Sequence, residues 1–455
     1  MKKILCLLLT LALIVMAACQ KEENSPVEKL PEESTNSQKV EETKSKDELF
    51  WTTGIEPVQY EIEGTVEETT ETYVRELTDV KYQGRAGGSE GNRLAADWLA
   101  EQFERIGLQK LPTLDSWKQN YSTASTAVLP GEAVLVAPDG SKTKLILGED
   151  WMFRASPEAV NVTVALTTDE AHYKEGNAIW DAYEVPKGAN KKLCLTVGEM
   201  DNGISYVNPT GNPSRILVTE TVYQQLKQEG WKLHLNLPDA IDEDGNADNV
   251  IGYLPGKDST KAVVIGANFD GPGQCGPLIL PGAYNNVSGV ATMIQTAEWL
   301  VQVEELPCDV IFAAFNTEDN QQNGSAVLAE HIEEQYEQIR MIDLKCIGWK
   351  GQPIHVFGDN SEAALRNSLA GGLEMQYADY SIGSDEQAFL GDNMSAVLIF
   401  QEACLKDEKA SSVVNTTRDT ADNLDFTVLD DTAKHLAEWV VERGDDPLKS
   451  YVVYW

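Results

Sequence analysis

Apolar runs that end in polar residues mark the middle of the chain. Residues 262–265 and 310–315 are uninterrupted apolar segments, the pattern of strands buried on both faces of a sheet. In open α/β sheets, binding sites lie at the carboxyl ends of the strands. We therefore expect the side chains beyond these two runs to lie together at one edge of a sheet. The polar residues that follow the runs are Asn268, Asp270, Glu318 and Asp319.

The rest of the carboxyl-terminal half alternates between strand and helix patterns. Further strand-like apolar segments are residues 342–347, 353–357 and 396–400. The segments with the helical spacing of apolar residues are 290–301, 326–337, 362–373 and 427–441. Such alternation predicts an α/β fold in which a mixed, mostly parallel sheet is flanked by helices.

Composition changes along the chain and indicates separate parts. Residues 121–245 contain short alternating segments separated by Gly, Pro, Asp and Asn, which predicts an inserted β-rich domain. The α/β domain is then built from residues 51–120 and 246–455. Residues 20–50 are rich in Glu, Lys, Ser and Asn. They can bury too little apolar surface to fold, so we expect a disordered tether there.

The amino terminus has the pattern of a bacterial lipoprotein signal peptide. Lys2 and Lys3 precede an apolar run that is too short for a typical membrane-spanning helix and ends at Cys19. The small residues before Cys19 resemble a lipobox, which implies that residues 1–19 contain a cleaved signal and that Cys19 is lipidated. The alternative is an ordinary signal peptide with an incidental cysteine. We expect an extracytoplasmic protein, lipid-anchored to a bacterial membrane.

The charge of the chain argues against one class of partner. The chain has 36 Lys and Arg against 73 Asp and Glu, and its formal net charge is −37. Nucleic-acid binding requires clustered positive side chains at the phosphates, so we expect no nucleic-acid partner. An acidic surface is compatible with cationic ligands and also keeps a protein in solution.

A loop and two strand ends carry a family resemblance. Residues 281–289 read Pro-Gly-Ala-Tyr-Asn-Asn-Val-Ser-Gly, and Asn-Thr-Glu-Asp follows the second apolar run. In order and spacing these motifs resemble the M28 family of zinc aminopeptidases, whose members read H-x-D, P-G-A-x-D-(N/D)-x-S-G and E-E at these places. The resemblance implies the α/β fold of that family and a general-base position at Glu318. The β-rich insertion resembles its protease-associated domain.

The chain departs from the family at each ligand position of the two-zinc site. The resemblance implies these replacements: Asn268 and Asn415 for two His, Asn285 for the bridging Asp, Asp319 for a Glu, and Lys345 for an Asp, with Glu386 where a His is common. Zinc prefers imidazole, thiolate or carboxylate ligands, whereas an amide is a weak ligand and an ammonium cannot coordinate. We therefore predict no metal cofactor. We expect Lys345 to pair with Glu318 or Asp319 and to replace part of the lost positive charge.

Three functions are compatible with such a site. The first is a pseudoenzyme that binds a peptide, another protein or a ligand with a cationic amino terminus. The second is an active M28-type metallo-aminopeptidase with an unusual metal site. Its ligands would be Asp270, Glu318, Asp319 and Glu386, an all-oxygen set that suits calcium or manganese better than zinc. The third is a structural component of the cell envelope whose pocket is incidental.

The cysteines leave one question open. Cys308 and Cys346 lie beside or within strand-like runs, and we expect them to behave as small buried hydrophobic residues. Cys275 and Cys404 fall in loops that the family places near the site, which is compatible with a disulfide between them. Spacing alone does not establish such a bond.

Overall fold

The computed structural model describes residues 58–446 with gaps. The gaps are residue 124 and residues 127–130, 155–159, 167–178, 181–192, 199, 201–213, 238–240, 243–244, 276, 319–322, 359–362, 371–375 and 378–382. The predicted signal peptide and tether, residues 1–50, lie outside the described residues, and Cys19 with them. Among the helices of the described part, none is long and apolar enough to cross a membrane.

One eight-stranded sheet forms the centre of the α/β part. Its strands in chain order are β1 (Lys118–Ser122), β2 (Asn246–Leu254), β3 (Gly256–Asn268), β4 (Leu306–Phe315), β5 (Gln338–Lys345), β6 (His355–Phe357), β7 (Gln376–Tyr377) and β8 (Met394–Phe400). They lie side by side in the order β1-β2-β4-β3-β5-β8-β6-β7. The central strands β4, β3, β5 and β8 are parallel, and antiparallel pairs flank them. The predicted fold class is confirmed.

Helices cover both faces of this sheet. They are α1 (Thr70–Leu77), α2 (Glu90–Ile106), α3 (Ser288–Leu300), α4 (Asn323–Ile332), α5 (Ala363–Ala370) and α6 (Phe426–Arg443). Along β3, Val263 and Ile265 pack in the apolar cluster that contains α3, whereas Val264 packs in the cluster that contains Leu328 of α4. Full burial of such a side chain contributes about 1.5–3 kcal/mol. A strand that is apolar on both faces therefore requires a helix layer on each side.

Local signals fix the ends of the helix that precedes the site. Before α2, the Ser89 Oγ accepts a hydrogen bond from the Asn92 backbone N–H, as an N-cap residue does. After α2, Gly107 has a left-handed conformation with φ of 98°, which glycine adopts without steric cost. Asn92 of this helix also donates to the Arg85 carbonyl oxygen and to Asn316 Oδ1. These two hydrogen bonds of Asn92 hold the glycine-rich loop before α2 against the end of β4.

Residues between β1 and β2 form two further sheets of four strands each. One contains Lys142–Lys144, Glu132–Val136, Lys232–Leu237 and Val160–Val164, and the other contains Trp151–Arg154, Ser214–Val218, Leu193–Val197 and Ile179–Trp180. They share an apolar cluster around Trp151, Phe153 and Leu235. Ser122 lies opposite Asn246 in the main sheet, so the chain leaves and re-enters that sheet at paired positions. The division into an inserted domain, residues 121–245, remains a prediction.

Candidate functional site

The carboxyl ends of three neighbouring strands bring most of the predicted polar residues together. Asn268 is the last residue of β3, Lys345 is the last residue of β5, and Glu318 follows β4. Because β4, β3 and β5 are parallel neighbours, these residues lie at the same edge of the sheet. Asp270 Oδ2 accepts from the Glu318 backbone N–H at 3.1 Å, which joins the loops after β3 and β4. Asp319 lies outside the described residues.

One side of the site, which we call the charged half, consists of Glu318, Asp343, Lys345, Asp385 and Glu386. The Lys345 Nζ lies 2.5 Å from Glu318 Oε1, so the ion pair predicted for this lysine is present. The exposed fractions of the two side chains are only 9% and 14%. Burial lowers the pKa of Lys345, but the adjacent Glu318 carboxylate outweighs it, and the net pKa is above the ordinary value. Lys345 is therefore a cation at neutral pH.

Two buried carboxyl groups, Asp343 and Asp385, lie near this ion pair. Burial has the largest effect on the pKa of Asp343, and the neighbouring Glu386 acts in the same direction. Together they raise this pKa to about 8. Burial, and then the proximity of Asp343, raise the pKa of Asp385 well above its usual range. Glu386 is also buried, and its Oε2 accepts from the Ser384 backbone N–H at 2.8 Å. Protonation of two carboxyl groups thus limits the negative charge that a single lysine has to balance.

The opposite side, which we call the amide half, consists of Asn268, Asn285, Asn286 and Asn415. Asn268 Nδ2 donates to Asp270 Oδ1 at 3.2 Å, and Asn268 Oδ1 accepts from Asn286 Nδ2 at 3.0 Å. Asn286 also donates to the Leu344 carbonyl oxygen at 2.7 Å and accepts from the Cys346 backbone N–H at 3.0 Å. The buried amides here are satisfied by one another and by the backbone.

Asn285 and Asn415 form the outer part of the amide half. Asn285 Nδ2 donates to Asn415 Oδ1 at 3.2 Å. The backbone N–H groups of Tyr284 and Asn285 donate to the two carboxylate oxygens of Asp419 at 2.6 and 3.2 Å. Burial raises the pKa of Asp419 to about 6, and these two hydrogen bonds oppose the rise. The loop that carries Asn285 is therefore held in place by a fully buried carboxyl group.

Arg85 is a second buried cation at the site. Arg85 is 1% exposed, its Nε donates to the Phe269 carbonyl oxygen at 2.9 Å and its Nη1 donates to the Leu77 carbonyl oxygen at 2.6 Å. Burial lowers the pKa of Arg85 to about 10, while Asp419 and Asp270 favour its charged form. Arg85 is thus positively charged at neutral pH and balances carboxylates on the amide side.

The site also contains residues that the sequence pattern did not single out. They are Arg85, Asn286, Asp343, Asp385 and Asp419. For Asp343 a signal existed, because a carboxyl group interrupts an otherwise apolar strand segment. The interpretation of Cys346 as a small buried hydrophobic residue was incomplete, since its Sγ also lies 3.4 Å from Asn285 Oδ1. Cys404 is a free thiol, so the bond to Cys275 that was left open is not formed; the side chain of Cys275 lies outside the described residues.

The donor set of this site does not fit a pair of zinc ions. The amide N–H groups of Asn268 and Asn285 point to Asp270 and Asn415. The carboxylate of Glu318 is paired with the ammonium of Lys345, which cannot itself coordinate a metal ion. Within the described residues, no group of three or more His, Cys, Asp or Glu side chains is arranged to hold a metal ion.

Comparisons with known proteins find similar proteins both by sequence and by structure. Residues 249–440 match the sequence model of peptidase family M28. A zinc aminopeptidase from Bacillus subtilis is similar in structure, with a TM-score of 0.60 and 15% identity over 84% of this chain and 97% of that one. A peptidase M28 precursor from Shewanella amazonensis gives a TM-score of 0.57 and 15% identity over 84% and 94%. No curated protein sequence matches. The structural neighbours establish the shared fold.

Proposed function

We propose that this M28 aminopeptidase-like protein is catalytically degenerate and serves to bind a ligand with a cationic amino group. The observation that carries the proposal is the ion pair between Lys345 Nζ and Glu318 Oε1 at 2.5 Å. In the family resemblance, Glu318 stands at the general-base position and Lys345 at a metal-ligand position. The pair joins these two positions to each other and leaves neither in its catalytic role.

The energetics of peptide hydrolysis support this proposal. General-base catalysis alone contributes roughly 10²–10⁴-fold, whereas enzymes accelerate their reactions by at least about 10⁶-fold. In metallopeptidases a metal ion supplies most of the difference, because it polarises the carbonyl and acidifies water. The amides and the ammonium at the corresponding positions here are poor or impossible ligands. A binding function retains the shape of the pocket without that chemistry.

The charges of the site favour an amine as the ligand. Glu318 keeps 14% of its side chain exposed, and Asp270 lies beside it, with its Oδ2 on the Glu318 backbone N–H. A positively charged amino terminus of a peptide would find carboxylate oxygens in a setting of low dielectric, where such hydrogen bonds are strong. We accordingly propose peptides or other amino-terminal ligands as partners. We propose no nucleic-acid partner, because a net charge of −37 disfavours contacts with phosphates.

We further propose that the protein is an extracytoplasmic lipoprotein. The support is the short apolar run that ends at Cys19 with small residues before it, followed by the polar residues 20–50. A lipidated Cys19 would anchor the chain to a bacterial membrane, and the tether would separate the folded part from the lipid. Mass spectrometry of the amino-terminal peptide from membranes tests this, and an unmodified Cys19 would contradict it.

The first experiment measures metal content and activity of the full-length protein together. We expect substoichiometric zinc, manganese and calcium, and no release of chromogenic groups from aminoacyl substrates with any of the three added. The alternative, an active enzyme with Asp270, Glu318 and Glu386 among its ligands, requires a bound ion and metal-stimulated hydrolysis. Either finding would overturn the proposed degeneracy.

A ligand-restored variant makes the test sharper. It combines Asn268→His, Asn285→Asp, Lys345→Asp and Asn415→His, which returns the residue types of the family to four positions of the site. We expect this variant to bind zinc with an affinity that the wild type lacks, because imidazole and carboxylate replace amides and ammonium. The matched control retains Lys345 and restores only the other three positions. Equal zinc binding by the control would show that Lys345 does not exclude the metal.

A second experiment tests the ligand class by thermal unfolding. Peptides with a free amino terminus should raise the midpoint, and the same peptides with an acetylated amino terminus should not. A ligand present at 100 times its Kd stabilises the folded state by about 2.7 kcal/mol. Equal shifts with both peptide forms would exclude recognition of the amino group. The absence of any shift would favour a purely structural role.

A further inference from the structure

Two free cysteines meet beside the amide half of the site. β5 and β8 are parallel neighbours in which Lys345 lies opposite Phe400. Beyond these strand ends, the Cys346 carbonyl oxygen accepts from the Gln401 N–H at 3.2 Å, and the Cys404 N–H donates to the Gln401 carbonyl oxygen at 3.2 Å. This backbone path places Cys346 and Cys404 side by side, so that each thiol shifts the pKa of the other.

We propose that Cys346 and Cys404 are a reversible redox pair, which forms an intramolecular disulfide at the rim of the site. The inference is independent of the ligand-binding function proposed above, because it depends only on the two thiols and the strands that carry them. Both cysteines are free thiols, so the structure represents the reduced form. In a disulfide, the end of β5 would be tied covalently to the short helix Ala403–Lys406.

The two thiols differ in a way that assigns each a chemical role. Cys404 is partly exposed, whereas Cys346 is only 3% exposed. The hydrogen bond from Cys346, and then the positive charge of Lys345, lower the pKa of Cys404. The same contact, together with burial, raises the pKa of Cys346. The accessible thiolate is the nucleophile in thiol–disulfide exchange, so Cys404 attacks first and Cys346 resolves.

The oxidant for this step is a small-molecule disulfide, RSSR. The Cys404 thiolate attacks one sulfur of RSSR, the S–S bond breaks, and one RS⁻ leaves. The sulfur of Cys346 then attacks the Cys404 sulfur of the mixed disulfide, and the second RS⁻ leaves. The two cysteine protons end on two RSH molecules, and two electrons pass from the cysteines to the oxidant. A dithiol reverses the sequence.

The bond would act on the site through Asn285 and Asn286. Cys346 Sγ lies 3.4 Å from Asn285 Oδ1, and the Cys346 backbone N–H donates to Asn286 Oδ1 at 3.0 Å. Formation of a disulfide removes the thiol hydrogen that can be donated to Asn285. The oxidation state of the pair therefore changes the hydrogen bonding of the loop that carries Asn285 and Asn286.

Peptide mapping of the full-length protein tests the pair directly. The protein is treated with oxidised glutathione or with dithiothreitol, blocked with iodoacetamide and digested. We expect a linked peptide that contains Cys346 and Cys404 after oxidation, lighter by two hydrogen atoms than its separate parts, and alkylation of both cysteines after reduction. We also expect a higher unfolding midpoint of the oxidised form, because the bond restricts the unfolded chain.

Variants distinguish this pair from other thiols. Cys346→Ser should trap glutathione on Cys404, whereas Cys404→Ser should abolish both the intramolecular bond and the glutathione adduct. Cys308→Ser is the matched control and should leave the linked peptide unchanged, since Cys308 is fully buried and burial raises its pKa to about 12. Oxidation that leaves Cys346 and Cys404 fully alkylated, or that links Cys404 to Cys275 instead, would overturn the proposal.

Discussion

The amide half and the charged half of the site use different means to stabilise polar groups away from water. In the amide half, neutral side chains bond to one another, as Asn268 does to Asn286 and Asn285 does to Asn415. In the charged half, one ammonium faces several carboxyl groups and forms an ion pair with Glu318. The remaining charge is limited by protonation, as the raised pKa values of Asp343 and Asp385 indicate.

This difference shows what a buried polar cluster requires when no cation is bound. A neutral amide costs little once its donors and acceptors are paired. A buried carboxylate also needs an opposite charge or a proton, because the interior solvates its charge poorly. The two halves should therefore respond differently to substitution, and the charged half should be the more sensitive of the two.

Removal of the cation should have the largest effect. In Lys345→Met, the carboxylate of Glu318 loses its partner while it stays largely buried, and such a change costs about 3–5 kcal/mol. The measurement is the free energy of unfolding by urea at neutral pH. The matched control is Lys434→Met, whose lysine is 42% exposed and lies 3.7 Å from Glu438; an exposed pair contributes at most about 1 kcal/mol.

A double variant separates the ion pair from the packing of the lysine. Lys345→Met/Glu318→Gln removes both charges at once, so we expect it to recover most of the stability lost in the single variant. If the double variant were as unstable as Lys345→Met, the loss would come from packing, and the electrostatic account of the charged half would be wrong.

Substitution of Asn286 tests the amide half, and we expect an intermediate loss in the free energy of unfolding. Asn286→Ala removes the hydrogen bonds of this side chain with Asn268 Oδ1, the Leu344 carbonyl oxygen and the Cys346 N–H. An unsatisfied buried group costs about 1–3 kcal/mol, and we expect a total loss of about 2–3 kcal/mol after relaxation.

Asn285→Ala is the matched control for this variant. Asn285 is only partly buried and donates to a single side chain, Asn415, so about 1 kcal/mol is expected. The order of the two urea midpoints is the decisive result. A loss for Asn285→Ala that equals the loss for Asn286→Ala would show that burial does not control the cost in the amide half.

The smallest expected effect is the change in the free energy of unfolding between pH 6.5 and pH 7.5. Because the pKa of Asp343 is raised to about 8 when folded, the folded state binds more protons than the unfolded state at neutral pH. Stability from this carboxyl group is fully present below its unfolded pKa, about 3.9, and is lost as pH rises toward 8. Between pH 6.5 and 7.5 the loss is at most about 1.4 kcal/mol.

Asp343→Asn should remove most of this slope, because an amide resembles the protonated acid and does not titrate. Urea unfolding at both pH values measures it. Asp385 shares the proton equilibrium with Asp343, so the slope belongs to the two groups together. A wild-type protein that gains stability from pH 6.5 to 7.5, with the gain removed in Asp343→Asn, would contradict the assigned direction.

The central strands and helices follow closely from the sequence because their apolar patterns are long and regular. The predicted helix 290–301 is observed as Ser288–Leu300, and the predicted strand 396–400 as Met394–Phe400. The predicted helix 326–337 ends at Ile332, and the residues after it turn toward the start of β5. Helix ends depend on such tertiary demands as well as on the apolar pattern, which extends past them.

The sequence by itself determined that Asn268, Asp270 and Glu318 would lie at one edge of a sheet, because the buried apolar strands end just before them. The family resemblance added the expectation that Lys345 would pair with Glu318 or Asp319 there. Only the tertiary structure decided that Lys345 pairs with Glu318, that burial raises the pKa values of Asp343 and Asp385, and that Cys346 lies beside Cys404. The physical reason is that burial and neighbours across strand pairs set charge states and contacts, and neither is encoded in local sequence.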